Sequence, residues 1–211
     1  MDLSKPTHMD ITYDKKGNKE YIIDNAYLQW FNLAGRENPN NRKGKRNLVW
    51  RIPDPEWAEK LAEDGYNVKH YSVRDGYDGD EYDYLQIQLT YRDKDGVPFA
   101  EKYPGLVPHV YLVDEDDYYT LIDEDGVGEF DDKTILYALL EFRRYDWDYN
   151  RKKGTTACIK NLYLKVKKDP IVGRFKPKEA VHPNDYSVMK SQMDKERNQK
   201  PNDGDDLPFN I

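Results

Sequence analysis

A small, mainly β domain, either a barrel or a sandwich, is what this sequence predicts, on three observations. Several short segments alternate apolar with polar residues, turn signals separate them, and a single stretch carries a full set of helix signals. With 211 residues the chain holds one domain of ordinary size plus some excess, not two large ones. A mean hydropathy of -1.03 understates the core. Much of the apolar load rests on 18 Tyr, 6 Phe and 4 Trp, and tyrosine is amphipathic.

The elements follow in chain order. "ITYDKKGNKEYII" places β-prone flanks around Gly17-Asn18, a hairpin pattern that leads into the first long strand. "NAYLQWFN" alternates, with Ala26, Leu28 and Trp30 on one side and Tyr27, Gln29 and Phe31 on the other. The loop "LAGRENPNNRKGKR" then precedes the strand "NLVWRI". "PDPEWAEKLAEDG" is the one clear helix. Asp54 can cap it, Pro55 suits its first position, Trp57 and Leu61 share an apolar face, and Gly65 closes it. "YDYLQIQLTYR" puts Leu85, Ile87, Leu89 and Tyr91 on a core face and Tyr84, Gln86, Gln88 and Thr90 opposite. Further strands are expected at "HVYLV", "YYTLI", "LLEFRRYDWDYN" and "TACIKNLYLKVK", the last two joined by "RKKG". The domain is expected to span residues 1–175. From Lys176 onward, proline and charge without apolar periodicity predict a disordered tail over 176–211, because too little surface is buried to offset chain entropy.

Composition narrows the function. The single Cys158 excludes an internal disulfide framework and a multi-cysteine metal site. No apolar run approaches a membrane span and "MDLSKPTHMD" has no secretory core, so no membrane partner and a cytoplasmic location are expected. The four histidines, at 8, 70, 109 and 182, are scattered without metal-ligand spacing and read as ordinary strand or loop residues. "DGYDGDEYD" and "DEDGVGEF" lack the ligand order of a calcium loop and are expected to be solvated acidic loops. No catalytic set, metal or cofactor is predicted.

Net charge is -7, yet the charges are segregated. Arg36 to Arg51 holds Arg36, Arg42, Lys43, Lys45, Arg46 and Arg51 against Glu37 alone. Arg151 to Lys168 holds seven basic residues and no acid, and Asp114 to Asp132 ten acids and no base. Such segregation decides where a polyanion can lie. In "RRYDWDYNRKKG", strand alternation aligns Arg143, Tyr145, Trp147, Tyr149 and Arg151, with Arg144, Asp146 and Asp148 opposite. Rings that stack on bases beside guanidinium groups that meet phosphates suit a single strand of nucleic acid. The alternative is that Trp147, like Trp30, Trp50 or Phe31, packs into the core.

The final stretch, "NDGDDLPFNI", combines Asp203, Asp205 and Asp206 with Leu207, Pro208 and Phe209. It reads as a recognition motif, an apolar tip for a small pocket with acids for the basic residues around it. In this the chain resembles single-stranded DNA-binding proteins, whose acidic tails end in Ile/Leu-Pro-Phe and dock replication and repair proteins. Tails of that kind stop at Phe, whereas Asn210 and Ile211 follow here. The body is similar to a phage family of such proteins through "NAYLQWFNLAGRENPNNRKGKRNLVWRIPDPEWAEKLAEDGYNVK", "YLQIQLTYR", "PHVYLV" and "YDWDYNRKKGTTACIKNLYLKVK". The resemblance covers Asn25 to Lys168. It implies an OB-fold, a five-stranded β-barrel with elaborations, that coats single-stranded DNA with little sequence preference during replication, recombination or repair.

On that reading Arg36, Arg42, Lys43, Lys45, Arg46, Arg143, Arg151, Lys152 and Lys153 track phosphates, while Trp30, Phe31, Tyr145, Trp147 and Tyr149 stack. Partners are single-stranded DNA and replication or recombination proteins reached through the tail, and a homo-oligomer is compatible with it. Two rival classes stand beside it. One is a β-sandwich module or virion component that recognises carbohydrate or protein, and the other a metal-dependent nuclease using the acidic loops.

Overall fold

The chain enters its fold through the hairpin that Gly17 predicts. β1 (His8–Tyr13) pairs antiparallel with β2 (Lys19–Asp24), and Gly17 takes a φ of 80° in the turn. Asp14 fixes that turn by accepting the backbone N–H groups of Lys16 (2.7 Å) and Asn18 (2.8 Å). The computed structural model describes residues 6–73, 78–93, 95–149 and 151–167. The proposed tail, with Asp203, Asp205, Asp206, Leu207, Pro208 and Phe209, lies outside the described residues, as do His182 and the side chain of Tyr149.

The remaining strands are β3 (Leu28–Asn32), β4 (Arg46–Ile52), β5 (Lys69–Tyr71), β6 (Tyr82–Leu89), β7 (His109–Val113), β8 (Tyr119–Ile122), β9 (Ile135–Tyr149) and β10 (Lys152–Val166). They form an OB-like barrel, in the order β2-β9-β10-β6-β4-β3. Closure comes from one bend. Asn25, at a φ of 52°, separates β2 from β3, so the first half of a continuous run pairs with β9 and the second half with β4. Backbone bonds flank the bend, Ala26 N–H to the Ala138 carbonyl and Arg51 N–H to the Tyr27 carbonyl, each 2.9 Å. β10 is long enough to serve two neighbours. Its first half runs parallel to β6 and its second half parallel to β7, which adds the β7–β8 hairpin to the barrel.

Period-two alternation fills the interior as expected for β6, where Leu85, Ile87 and Leu89 are buried. Trp50, Tyr21 and Phe142 are the largest buried side chains, and Tyr21 stacks on Phe142 with ring centroids 5.0 Å apart. The helix α1 (Pro55–Glu63) packs against β4 and β6 and buries Ala58 and Leu61, while Trp57 is half-buried against the same core. Its cap is the expected one, with Asp54 accepting the Glu56 N–H at 2.9 Å. A short helix α2 (Phe99–Lys102) and 3₁₀ turns at Pro104–Leu106 and Val127–Asp132 join the strands. Among the described residues, no helix is long and apolar enough to cross a membrane.

Three expectations change. "RKKG" is not the hairpin loop: Lys152, Lys153 and Gly154 belong to β10, whose pairing starts with Lys152 opposite Tyr149, and Arg151 takes a φ of 62°. Trp30 does not share the side of Leu28. The β3–β4 register shifts between Gln29 and Asn32, and this bulge, with Trp30 at a φ of 50°, turns the indole outward. The acidic segment is more than a solvated loop, since Val127 and Phe130 are buried beneath it and Asp131 binds backbone amides.

Candidate nucleic-acid interface

The outward positions of β6 are Tyr82, Tyr84, Gln86 and Gln88, the partners by alternation of its core residues. At one end of this face the rings gather. Trp30, half exposed at 50%, meets Tyr84 edge-on at 5.5 Å and Tyr71 at 6.0 Å, and Tyr71 stacks on Tyr82 at 5.0 Å. Arg51 holds the wall from behind, its guanidinium 4.4 Å from the Tyr82 ring centroid and 5.7 Å from that of Tyr27. Gln29 donates to the Tyr82 hydroxyl at 2.7 Å.

From this wall the face runs into a groove of about 330 Å³ whose lining includes Lys69, Gln86, Gln88, Trp147, Lys153 and Thr156. Lys69 sits opposite Tyr84 in the β5–β6 pairing and joins the two regions. Trp147 lies across Gly154 in the β9–β10 hairpin. A Cβ at Gly154 would come 2.5 Å from the indole Cζ2, so only glycine leaves room for the ring there. Tyr145 is 57% exposed on the same strand, and Phe31 is half-buried against the core.

In the hairpin Arg144 and Asp146 share one side, as alternation predicts for these two. Arg144 donates to the Asp64 carbonyl (2.5 Å) and to Asp146 (2.7 Å), which also accepts from Thr155 (2.6 Å). Asp64 ties this end of the barrel together by accepting from Lys19 at 2.5 Å and from the Tyr21 hydroxyl. Burial opposes the Asp64 charge, but those two hydrogen bonds together with the charges of Lys19 and Arg144 leave the carboxyl below its usual range. Burial, reinforced by Asp64, holds the Tyr21 hydroxyl well above its ordinary pKa.

The predicted cations divide into two groups. Arg143 donates to the Gly105 carbonyl at 2.9 Å and to that of Leu106, so its guanidinium fastens a loop; burial lowers its pKa. Arg46 donates to the Leu33 and Glu124 carbonyls (3.1 and 2.6 Å), and Arg36 pairs with Asp132 at 3.2 Å. Lys153 pairs with Asp148 at 3.0 Å on an exposed edge. Arg42, Lys43, Lys45, Arg151 and Lys152 are exposed, and no carboxylate among the described residues lies within ion-pairing distance of them. The loop bearing the first three leaves the face where Asn47 pairs with Gln88.

Sequence reading missed Tyr71, Tyr82, Lys69 and the use of Tyr84, Gln86 and Gln88. The period-two pattern of "YDYLQIQL" marked the last three as facing away from the core, and nothing local marked Tyr71. Half-buried between Gln88 and Arg143, Cys158 has its thiol pKa pushed up by desolvation to about 11, with Arg143 opposing the shift. Among the described residues no group of three or more His, Cys, Asp or Glu is arranged to hold a metal ion.

The family model described as "Putative phage ssDNA-binding domain" matches residues 11–203. No curated protein matches the chain. Among solved structures it is similar to a single-stranded DNA-binding protein from bacteriophage Enc34 in complex with ssDNA, at 9% identity and a TM-score of 0.46, over 77% of this chain and 97% of that one. A C-terminal truncation of the Enc34 protein gives 8% identity and a TM-score of 0.44 over 77% and 97% of the two chains. A further structure of it gives 11% and 0.41 over 80% and 96%. With the family match running from β1 past the last described strand, the chain belongs to the phage single-stranded DNA-binding domain family.

Proposed function

We propose that this protein coats single-stranded DNA without sequence preference during phage replication, recombination or repair, and that its outer β6 face and the β9–β10 hairpin form the binding path. One observation carries the reading. Exposed rings, Trp30 and Tyr71 at one end and Trp147 and Tyr145 at the other, share a surface with cations that have no acidic partner among the described residues. Flat rings accept any base, and unpaired cations meet a repeating anion; a sugar or neutral peptide needs no such cations. Phosphate contacts fall to Arg42, Lys43, Lys45, Arg151 and Lys152, with Lys69 added from the groove. The proposed role of Leu207, Pro208 and Phe209, docking replication or recombination proteins, rests on the resemblance of the tail.

Titration with oligothymidine, followed by tryptophan emission, tests this reading. Stacking on Trp30 and Trp147 is expected to quench emission. Trp30→Ala and Trp147→Ala are each expected to weaken binding by about 1 to 3 kcal/mol, the usual value of one stacked base. Folded variants that bind and quench like the unaltered protein would assign both rings to packing.

A further inference from the structure

The segment Asp114 to Asp132 carries ten acids in a protein proposed to hold a polyanion. Simple electrostatics makes it a liability, since free carboxylates near a nucleic-acid path repel phosphate. Three of these acids meet the base of the basic loop. Asp131 accepts two successive backbone N–H groups, those of Leu33 (2.6 Å) and Ala34 (3.1 Å), at the point where β3 passes into the basic loop. Asp132 pairs with Arg36 at 3.2 Å. Glu124 accepts from Nε and Nη2 of Arg92, each at 3.1 Å, and its carbonyl accepts from Arg46 at 2.6 Å, where the loop returns to β4.

Backbone closeness adds a contact that owes nothing to charge. A Cβ at Gly128 would stand 2.9 Å from the Ala34 Cβ and 3.0 Å from its Cα, so the 3₁₀ turn lies directly on the start of the loop. The two limbs of the loop are joined above this point. Gly44 N–H donates to the Gly35 carbonyl at 2.8 Å, and Asn38 and Asn41 exchange backbone bonds of 3.0 and 3.1 Å. Arg42 and Lys43 stand between these two links on the returning limb and Lys45 just before β4, all exposed and without a carboxylate partner among the described residues.

We infer that the acidic segment is a clamp that positions the basic loop for DNA, with Asp131 and Gly128 as positioning residues that touch no nucleotide themselves. The inference rests on the single-stranded DNA reading. Acids grip the base of the loop, whose own cations they neutralise, and leave those of its returning limb charged. Holding these cations in place before DNA arrives removes part of the ordering entropy that binding would otherwise cost.

The sign of one measurement separates this from bare repulsion. Asp131→Asn removes a negative charge, so repulsion alone predicts tighter binding to oligothymidine; the clamp predicts binding weaker by about fivefold, the equivalent of roughly 1 kcal/mol. Gly128→Ala changes no charge and is expected to weaken binding likewise. Both changes are repeated in a chain that also carries Arg42→Ala, Lys43→Ala and Lys45→Ala, where the clamp has no cations left to position. There the clamp predicts no further weakening. Weakening in both backgrounds would mean general destabilisation, and tightening in both would mean repulsion; either overturns the inference. Hydrogen exchange of the free protein reads the clamp without DNA. Asp131→Asn is expected to speed exchange of the Leu33 and Ala34 amides, and unchanged exchange would overturn the clamp. An unaltered protein that ignores oligothymidine while the variant exchanges faster would instead sink the DNA reading alone.

Discussion

Three tryptophans of one chemistry meet three fates, and sequence alone assigned none of them. Trp50 is fully buried, Trp30 stands on the outer face and Trp147 leans across a glycine. Each sits on an alternating strand, so alternation offers two sides without saying which side is wet. Tyrosine is divided in the same way. Tyr71 and Tyr82 stack on the surface, whereas Tyr21, Tyr66 and Tyr91 are held in or against the core with pKa values raised first by burial. A phenol whose folded pKa exceeds its unfolded value binds its proton more tightly when folded. Its contribution to stability is therefore complete below its ordinary pKa of 10.0 and is lost as the pH climbs beyond it. Urea denaturation against pH is expected to show stability falling above about pH 10, with the buried tyrosines ionising only as the protein unfolds. Ionisation of Tyr21 near its ordinary pKa in an intact fold would contradict this.

At the scale of elements, the legible parts were those whose signal is local. The Gly17 turn, the Asp54 cap of α1 and the two faces of β6 each follow from residues within one or two turns of chain. The bulge in β3 does not, because it is defined by register against β4, a strand across a loop. The hairpin of β9 and β10 lies between these cases. The shared side of Arg144 and Asp146 was legible, and the start of β10 was not, since pairing drew Lys152 and Lys153 into the strand. Gly154 gives this hairpin its use, by leaving room for the Trp147 ring against the opposite strand. Gly154→Ala is expected to displace an exposed ring at little cost in stability, yet to reduce oligothymidine affinity about as much as Trp147→Ala. A variant with unchanged melting temperature and unchanged affinity would show that ring placement does not matter.

Across the whole molecule, a net charge of -7 coexists with exposed cations that have no carboxylate partner among the described residues, because acids and bases are sorted rather than balanced. Acids of residues 114–132 grip the base of the basic loop, and other carboxylates hold Lys19, Lys160 and Lys165 in ion pairs. With about three phosphates neutralised, log affinity is expected to fall against log salt with a slope near -2, taking roughly -0.7 per phosphate on single strands. Removal of residues 202–211, with Asp203, Asp205 and Asp206, is expected to raise affinity at low salt, since an acidic peptide competes for the same cations. A flat salt response would argue against the loops, and unchanged affinity on truncation against competition by the tail. By itself the sequence determined the β class, the one clear helix and the aromatic and basic stretches, because alternation, caps, turn residues and charge runs are written locally, and the resemblance of its motifs pointed to the family. Only the tertiary structure decided which rings face outward, which cations keep their charge free and what the acidic segment grips. Those outcomes depend on register, closure at Asn25 and contacts between residues about a hundred positions apart, which no local pattern encodes.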